Sequence, residues 1–142
     1  ELVSDMRAVK LNEELIRVKQ ILDAAKIEVE IIGESERLNI PILAENVLSM
    51  CLKEAITNVV KHSEAKNCKI TIKRSHNEIL LIVEDDGKGL ENDSKVQRLG
   101  NGLKGMRERV EFINGSLAFE MTKGTKLLIS VPLAITHQEG NG

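Results

Sequence analysis

The sequence contains no Trp and no Tyr, and only two Phe among its 142 residues. The core of the protein must therefore be aliphatic, and the aromatic platform on which proteins stack single-stranded nucleic acids is missing. The net charge of -2 provides no overall basic field for a polyanion, so any phosphate site must be local. We therefore expect no nucleic-acid partner.

Other absences narrow the class of protein further. No apolar run approaches the roughly 18 residues that a membrane span needs, and no secretory signal opens the chain. The two cysteines, Cys51 and Cys68, lack the spacing of metal ligands and lie in apolar periodic segments. We interpret them as buried free thiols of a reducing compartment rather than as a disulfide. This favours a soluble, cytoplasmic domain, and a membrane anchor on a longer parent chain is compatible with it.

Hydrophobic periodicity predicts one domain of mixed elements. Residues 1–10 have a helical pattern without a helix start, which indicates the remnant of a preceding domain, and residues 136–142 are expected to be a frayed tail. Hairpins rather than regular βαβ alternation predict an α/β (α+β) two-layer sandwich, with helices on one face of a mixed sheet. The predicted helices are 12–25, 41–62 and 103–113, the predicted strands are 28–32, 69–74, 79–84, 116–121 and 125–131, and 87–102 is a long loop.

The longest predicted helix has a polar stripe beside its apolar face. At roughly 100° per residue, the stripe is about 100° wide and contains Glu54, Asn58, Lys61 and His62. The plainer interpretation is a solvated face with a lysine near the helix C-terminus. The alternative is one wall of a nucleotide site, since the Asn58 carbonyl oxygen suits Mg²⁺ and Lys61 could neutralise a phosphate.

Five of the ten glycines lie between Gly87 and Gly105. The first cluster, Asp85-Asp86-Gly87-Lys88-Gly89, follows a predicted strand, where Asp85 could accept a hydrogen bond from an exocyclic amine such as that of adenine. The second, Gly100-Asn101-Gly102-Leu103-Lys104-Gly105, precedes a predicted helix, where free N–H groups and the helix dipole favour a phosphate. Neither cluster has the Walker, Rossmann or EF-hand pattern.

The segment between the two glycine clusters, residues 90–99, is polar and poor in apolar anchors. This composition is typical of a mobile lid. Lys95 or Arg98 could reach phosphates when such a lid closes, although plain solvated charge explains both residues as well.

These motifs, in this order, resemble the ATPase domain shared by gyrase B, Hsp90, MutL and histidine kinases. The segment 54–62 is similar to the N box, the two glycine clusters are similar to the two glycine boxes, and Gly124-Thr125 matches the late Gly-Thr element. The form T-N-V-V-K-H-S with G-L-K-G-M-R-E-R-V is most similar to DesK/NarX/LiaS-type two-component sensor kinases, and residues 3–7 resemble the end of a DesK-like dimerisation helix. The resemblance implies the Bergerat fold, with a mostly antiparallel sheet.

The resemblance also implies a role for each matching residue in binding Mg–ATP. Asn58 would ligate Mg²⁺, and Glu54 would hold a metal-bound water or lie close to the phosphates. Asp85 would bind the adenine amino group, supported by Thr125 through a water. Phosphate contacts would come from Lys61 and His62, and the pocket walls from Gly87, Gly89, Gly102, Leu103 and Gly105.

The implied reaction is transfer of the γ-phosphate of ATP to a histidine on a dimerisation domain, within a pathway that ends at a response regulator. The family's acceptor lies in an upstream motif resembling H-D-x-x-G-Q, and none of His62, His76 and His137 has that context. We therefore expect an ATP-binding domain that does not phosphorylate itself and is monomeric. An anti-sigma-type serine kinase and a non-catalytic nucleotide-binding module are the alternatives, and the helix remnant and the intact boxes argue against them.

Overall fold

A computed structural model of the chain describes residues 10–33, 40–87, 93–121 and 123–133, with the side chains of residues 62, 63 and 93–101 outside that description. A five-residue π-helix, Val59–Ser63, directly continues the second α-helix. The remaining elements, in chain order, are α1 (Leu11–Ala24), β1 (Glu28–Ile32), α2 (Ile42–Asn58), β2 (Asn67–Arg74), β3 (Glu78–Asp85), α3 (Asp93–Phe112), β4 (Ser116–Met121) and β5 (Thr125–Pro132).

The strands form a five-stranded sheet in the order β1-β2-β3-β5-β4. β1 and β2 are parallel, which requires the crossover that α2 provides, and the other three pairings are antiparallel. The hairpins β2–β3 and β4–β5 follow directly from the short turns between them. The expectation of a mixed, mostly antiparallel sheet is therefore confirmed.

The alternating pattern of the strands puts one face of the sheet into the core. The three helices cover this face, and α1 contributes Leu11, Leu15, Val18 and Leu22 at helical spacing. Two neighbouring rows of the sheet are aliphatic and buried there: Ile70, Val83 and Leu127, then Ile72, Leu81 and Ile129. The core is thus aliphatic, as the lack of aromatic residues required.

The other face of the sheet carries the polar half of the alternation. Its row nearest the Asp85 end alternates in charge across all five strands: Glu30, Lys69, Glu84, Lys126 and Glu120. Opposite charges on adjacent strands attract weakly and keep this face hydrated. The molecule therefore has two layers rather than three.

The start of α3 differs from the sequence prediction. The helix begins at Asp93, so the prediction of a loop was wrong for residues 93–102. The interpretation of residues 90–99 as a mobile lid stays a prediction, and residues 90–92 lie outside the described residues. Between Asp93 and Gly100, most residues are good helix formers, and the acidic residue at the N-terminal end suits the helix dipole. These preferences, with the packing of the same helix further on, outweigh the cost of about 1 kcal/mol for each interior glycine. The side chains of Lys95 and Arg98 lie outside the described residues.

The end of α2 also differs from the prediction. Regular α-helix stops at Asn58 rather than at His62. The π-helix ends at Ser63 and is followed by Glu64, which has a left-handed backbone conformation with φ 57°. A π-helix has more residues per turn than an α-helix. The direction of Lys61 therefore departs from the stripe that regular α-helical spacing predicts. Other boundaries agree within about two residues, the usual scatter of helix and strand ends.

Among the described residues, no helix combines the length and apolar character needed to cross a membrane. This agrees with the absence of long apolar runs in the sequence.

Candidate functional site

The topology gathers most of the predicted site residues at one end of the sheet. β3 ends at Asp85, and the antiparallel register places Asp85 opposite Thr125, the first residue of β5. α2 runs as the crossover between the parallel strands β1 and β2, so its C-terminal end, with Glu54 and Asn58, precedes the start of β2 at this same end. Residues far apart in the sequence are brought together because strand starts and strand ends alternate along an antiparallel sheet.

Asp85 is held by two hydrogen bonds that fix its carboxylate. The Gly87 N–H donates to Oδ1 at 2.8 Å, and the Thr125 hydroxyl donates to Oδ2. A carboxylate has about four lone-pair positions, so capacity remains for a further donor. Asp85 is therefore an oriented, half-buried acceptor, as the prediction of an adenine-binding carboxylate requires.

The contact between Asp85 and Thr125 is direct in this structure, whereas the resemblance implied a support through water. The direct contact forms because the two residues are register partners on adjacent strands. Opposite residues of an antiparallel pair have Cβ atoms about 5 Å apart, which brings the carboxylate and the hydroxyl within hydrogen-bond distance. The supporting water stays a prediction.

Gly124 allows this close pairing. A Cβ built on Gly124 would lie 1.9 Å from the backbone oxygen of Asp85 and 3.1 Å from the Cα of Asp86. Any side chain there would push β5 away from the end of β3. The Gly-Thr element thus has two parts: the glycine permits the approach, and the threonine forms the hydrogen bond.

Asp86 is a site residue that sequence reasoning did not single out. Its Oδ1 accepts hydrogen bonds from the backbone N–H groups of Lys66 and Asn67 at 2.9 and 2.8 Å, and its Oδ2 accepts one from the Asn67 side chain at 2.8 Å. Hydrogen bonds from Asn67, first of all from its side chain, lower the pKa of the Asp86 carboxyl. The available signal was the polar pair Lys66-Asn67 at the start of a strand, and such pairs are too common to be informative.

The second glycine box meets the N box through Gly102. A Cβ on Gly102 would lie 3.0 Å from Oε2 of Glu54, so α3 passes close to α2 at this point. A Cβ on Gly105, one turn later, would meet no atom within 4 Å. Leu103 is half-buried and packs against the core. Gly102 therefore permits a helix contact, whereas Gly105 borders open space.

The expectation that the second glycine box stands at a helix N-terminus is wrong for this structure. Gly102 and Gly105 lie inside α3, where backbone N–H groups are used within the helix, and the first turn is near Asp93. Gly89 and the side chain of His62 lie outside the described residues. The phosphate-binding part of the predicted site is therefore the part that the described residues support least.

The oxygen atoms of Glu54 and Asn58 are well suited to a hard cation. Both residues are half-buried, and the Asn58 side chain makes no capping hydrogen bond to the π-helix. Among the described residues, no three His, Cys, Asp or Glu side chains are grouped as a metal site would need. Mg²⁺ usually takes only one or two protein ligands beside phosphate oxygens and waters, so the donors present fit it.

A cleft of about 510 Å³ opens beside Asp85, on the outer side of the sheet. It is lined by Glu28, Val29, Glu30, Asn67, Cys68, Lys69, Glu84, Asp85 and Asp86. Five carboxylates against one lysine repel a triphosphate, and no residue of α2 or α3 lines this cleft. We therefore assign the candidate site to the helix side of Asp85 and not to this cleft.

Both cysteines are free, buried and close to the candidate site. Burial raises the pKa of Cys51 to about 12, with a smaller lowering effect from Arg109 and a smaller raising effect from Glu54. Burial also raises the pKa of Cys68, the register partner of Asp85, to about 12, assisted by the neighbouring carboxylates. The thiols are therefore neutral, and the expectation of buried free thiols is confirmed.

Comparison with known proteins agrees with this geometry. The family described as histidine kinase-, DNA gyrase B-, and HSP90-like ATPase matches residues 44–135, which contain every predicted site residue. The chain therefore belongs to this ATPase family and has its ATP-binding domain.

Individual relatives are sensor histidine kinases. The chain is 50% identical over 136 residues to the sensor histidine kinase DesK of Bacillus subtilis (strain 168), covering 93% of this chain and 35% of that protein. It is 41% identical over 133 residues to the sensor histidine kinase YvfT of the same organism, covering 94% of this chain and 35% of that protein. The chain thus spans about a third of the length of these curated relatives.

Solved structures share the fold. The histidine kinase domain of the blue-light activated histidine kinase of Erythrobacter litoralis EL346 superposes with a TM-score of 0.72 at 22% identity, covering 90% of this chain and 63% of that one. Acinetobacter baumannii histidine kinase AdeS superposes with a TM-score of 0.66 at 17% identity, covering 87% of this chain and 65% of that one.

Proposed function

We propose that this chain is the catalytic domain of a sensor histidine kinase and that it binds Mg–ATP at the end of the sheet where Asp85, Asn58 and Glu54 lie. The observation that supports this most is the oriented Asp85 carboxylate, held by Gly87 and Thr125 with acceptor capacity left over. An oriented acceptor of this kind discriminates adenine by its exocyclic amino group. Family membership supports ATP as the nucleotide.

In this proposal each side chain has a distinct role. Asp85 accepts a hydrogen bond from the adenine amino group, while Thr125 and Gly87 keep its carboxylate in the required orientation. The Asn58 side-chain oxygen holds the cation and Glu54 holds a water bound to it. Lys61, exposed on the π-helix, contacts phosphate oxygens. Bound Mg²⁺ neutralises phosphate charge, and the chain itself contributes positioning rather than covalent chemistry.

The phosphate would pass to a histidine of a dimerisation domain in the parent protein, and from there to a response regulator. This part rests on the similarity to sensor histidine kinases of which the chain spans about a third. The parent protein's histidine, its partner regulator and its location in the cell are part of the same proposal, as is a monomeric state for this chain.

Asp85→Asn tests the adenine contact. The substitution keeps the shape of the side chain but replaces one acceptor by a donor, which then faces the donor of adenine. We expect ATP affinity, measured by calorimetry, to fall about 10- to 100-fold. Glu84→Gln is the matched control, because it makes the same chemical change one residue earlier on the outer face of β3 and should leave the affinity unchanged. Equal affinities for the wild type and Asp85→Asn would remove Asp85 from the adenine site.

Asn58→Ala tests the metal contact in the same assay. We expect the affinity for ATP in Mg²⁺ to fall to the value measured in EDTA, since the variant lacks the ligand oxygen. Thr57→Ala, one residue away, removes a hydroxyl that only donates to the Lys53 carbonyl of its own helix, and should retain the Mg²⁺ effect. A full Mg²⁺ effect in Asn58→Ala would contradict the assignment.

A further inference from the structure

The Asp86 carboxylate joins the end of β3 to the chain segment that precedes β2. It accepts from the N–H groups of Lys66 and Asn67 and from the Asn67 side chain at 2.8 to 2.9 Å. The Asp86 N–H in turn donates to the Asn67 carbonyl at 3.2 Å. These four hydrogen bonds bind the residues at the start of β2 to the loop that carries the first glycine box.

The segment held by Asp86 comes directly from the π-helix. Lys66 follows Ser63, the last π-helical residue, by three positions, and Lys61 lies within the π-helix itself. Glu64 has left-handed backbone geometry, so the chain turns sharply between the π-helix and β2. On the far side, the Glu28 N–H donates to the Lys66 carbonyl at 2.9 Å. The position of Lys61 therefore depends on where Lys66 and Asn67 are fixed.

Asp85 does not depend on the Asp86 carboxylate in the same way. Thr125 and Gly87 hold its side chain, and the close approach of Gly124 fixes its backbone against β5. Asp86 is exposed, so its side chain contributes little to the packed core. Removing the Asp86 carboxylate should therefore release the backbone of Lys66 and Asn67 and leave Asp85 in its present position.

We propose that Asp86 is a positioning residue, which sets the place of the π-helix and Lys61 relative to Asp85 and thereby the spacing between phosphate and adenine contacts. This inference rests on the proposed ATP site and adds a residue to it. Asp86 itself need not touch the nucleotide. Its effect is confined to the part of the ligand that Lys61 reaches.

Comparing two ligands on Asp86→Ala tests this inference. We expect the affinity for ATP to fall about tenfold, the loss of one charged phosphate contact, while the affinity for adenosine changes less than about twofold. Both can be measured on the chain by NMR titration, which reaches weak affinities. In a Lys61→Ala background, Asp86→Ala should cause no further loss of ATP affinity, because both changes remove the same contact.

Two further variants distinguish a specific effect on the position of Lys61 from a general loss of structural stability. Asp86→Asn retains an oxygen for the two backbone N–H groups, and the Asn67 amide can turn to accept from the new amide, so ATP affinity should recover to within about twofold of wild type. Ser130→Ala removes an exposed side-chain hydrogen bond to Glu78 at the opposite end of the sheet and should leave both affinities unchanged.

The possible outcomes are distinct. Equal loss for ATP and adenosine in Asp86→Ala, no loss for either, or an additive loss with Lys61→Ala would overturn the positioning role while leaving the ATP site standing. Failure of the wild-type chain to bind ATP, or to depend on Asp85, would instead overturn the proposed function and the positioning role with it.

Discussion

Asp85, the last residue of β3, and Asp86, the residue after it, have different roles although they are neighbours in the sequence. The two carboxylates are adjacent in sequence, yet Asp85 pairs with Thr125 on β5 while Asp86 pairs with Lys66 and Asn67 beside β2. The difference arises because successive residues of a strand point to opposite sides of the sheet. The pattern D-D-G therefore contains one candidate ligand contact and one structural tie.

The buried cysteines give a prediction at the same scale. Cys51 and Cys68 have a pKa raised to about 12 by burial, against an ordinary value of 9.0 that applies to the unfolded chain. Because the unfolded chain loses these protons first, the contribution of each thiol to stability is complete below pH 9 and is lost as pH rises from 9 towards 12. The free energy of unfolding should then fall by about 1.4 kcal/mol per pH unit for each thiol.

Urea unfolding between pH 7 and pH 10.5 would measure this effect. The chain has no Tyr whose ionisation would complicate the alkaline range. A variant with Cys51→Ala and Cys68→Ala, though less stable at pH 7, should lose clearly less stability above pH 9 than the wild type. Parallel pH profiles for the two proteins would contradict the raised pKa values.

At the scale of elements, α3 combines helix formers with glycines that a helix normally avoids. Gly102 has a local structural reason, since a Cβ there would crowd Glu54 of α2 at 3.0 Å. Gly105 has none among the described residues, since a Cβ there meets nothing within 4 Å. A glycine that costs helix stability without permitting a contact is typical of a position where a ligand approaches the backbone.

Gly105→Ala tests this interpretation of α3. We expect the free energy of unfolding without nucleotide to rise by about 0.5–1 kcal/mol, because alanine favours the helix and no atom opposes its methyl group. Gly102→Ala should gain less, because the Glu54 side chain must move. Urea denaturation measures both. If Gly105 borders the nucleotide, the more stable Gly105→Ala variant should also bind ATP more weakly. A lower free energy of unfolding for Gly105→Ala would contradict the finding that a Cβ there meets no atom.

At the scale of the whole molecule, the length of β3 separates His76 from the proposed nucleotide site. His76 lies in the turn between β2 and β3, at the opposite end of β3 from Asp85. Seven steps of roughly 3.4 Å put the two ends of that strand about 24 Å apart. A phosphate of ATP bound near Asp85 therefore cannot reach His76 of the same molecule.

We accordingly expect the chain to bind ATP without labelling itself. Incubation with ATP labelled at the γ-phosphate should leave no acid-labile phosphate on the protein, judged after gel separation at neutral pH. The same chain mixed with a dimerisation domain of a related sensor kinase, carrying its acceptor histidine, provides the positive control. Self-labelling that survives in His76→Gln but disappears in His62→Gln would contradict the expectation and make His62 an acceptor.

Much of the fold could be predicted from the sequence because it follows from local patterns. Alternation in β1, β3 and β5 and the apolar stripe of α1 set element type and position to within about two residues. The scarcity of aromatic residues predicted an aliphatic core. The start of α3 could not be predicted in the same way, because Gly100, Gly102 and Gly105 further along the helix are typical of a loop. Helix formation there is decided by the packing of the residues that follow, such as Met106 and Val110.

For the candidate site, too, local sequence patterns predicted one part and tertiary packing decided the other. The sequence by itself determined which residue types could bind Mg–ATP and in what order they occur, since an oxygen ligand, an acidic side chain and flexible glycines are properties of single residues and short motifs. Only the tertiary structure decided that Thr125 holds Asp85 directly, that Gly124 makes this pairing possible, and that Asp86 ties β3 to the segment after the π-helix. These contacts join residues 19 to 40 positions apart. Their existence depends on which strands become neighbours, and the burial of the whole apolar face decides that.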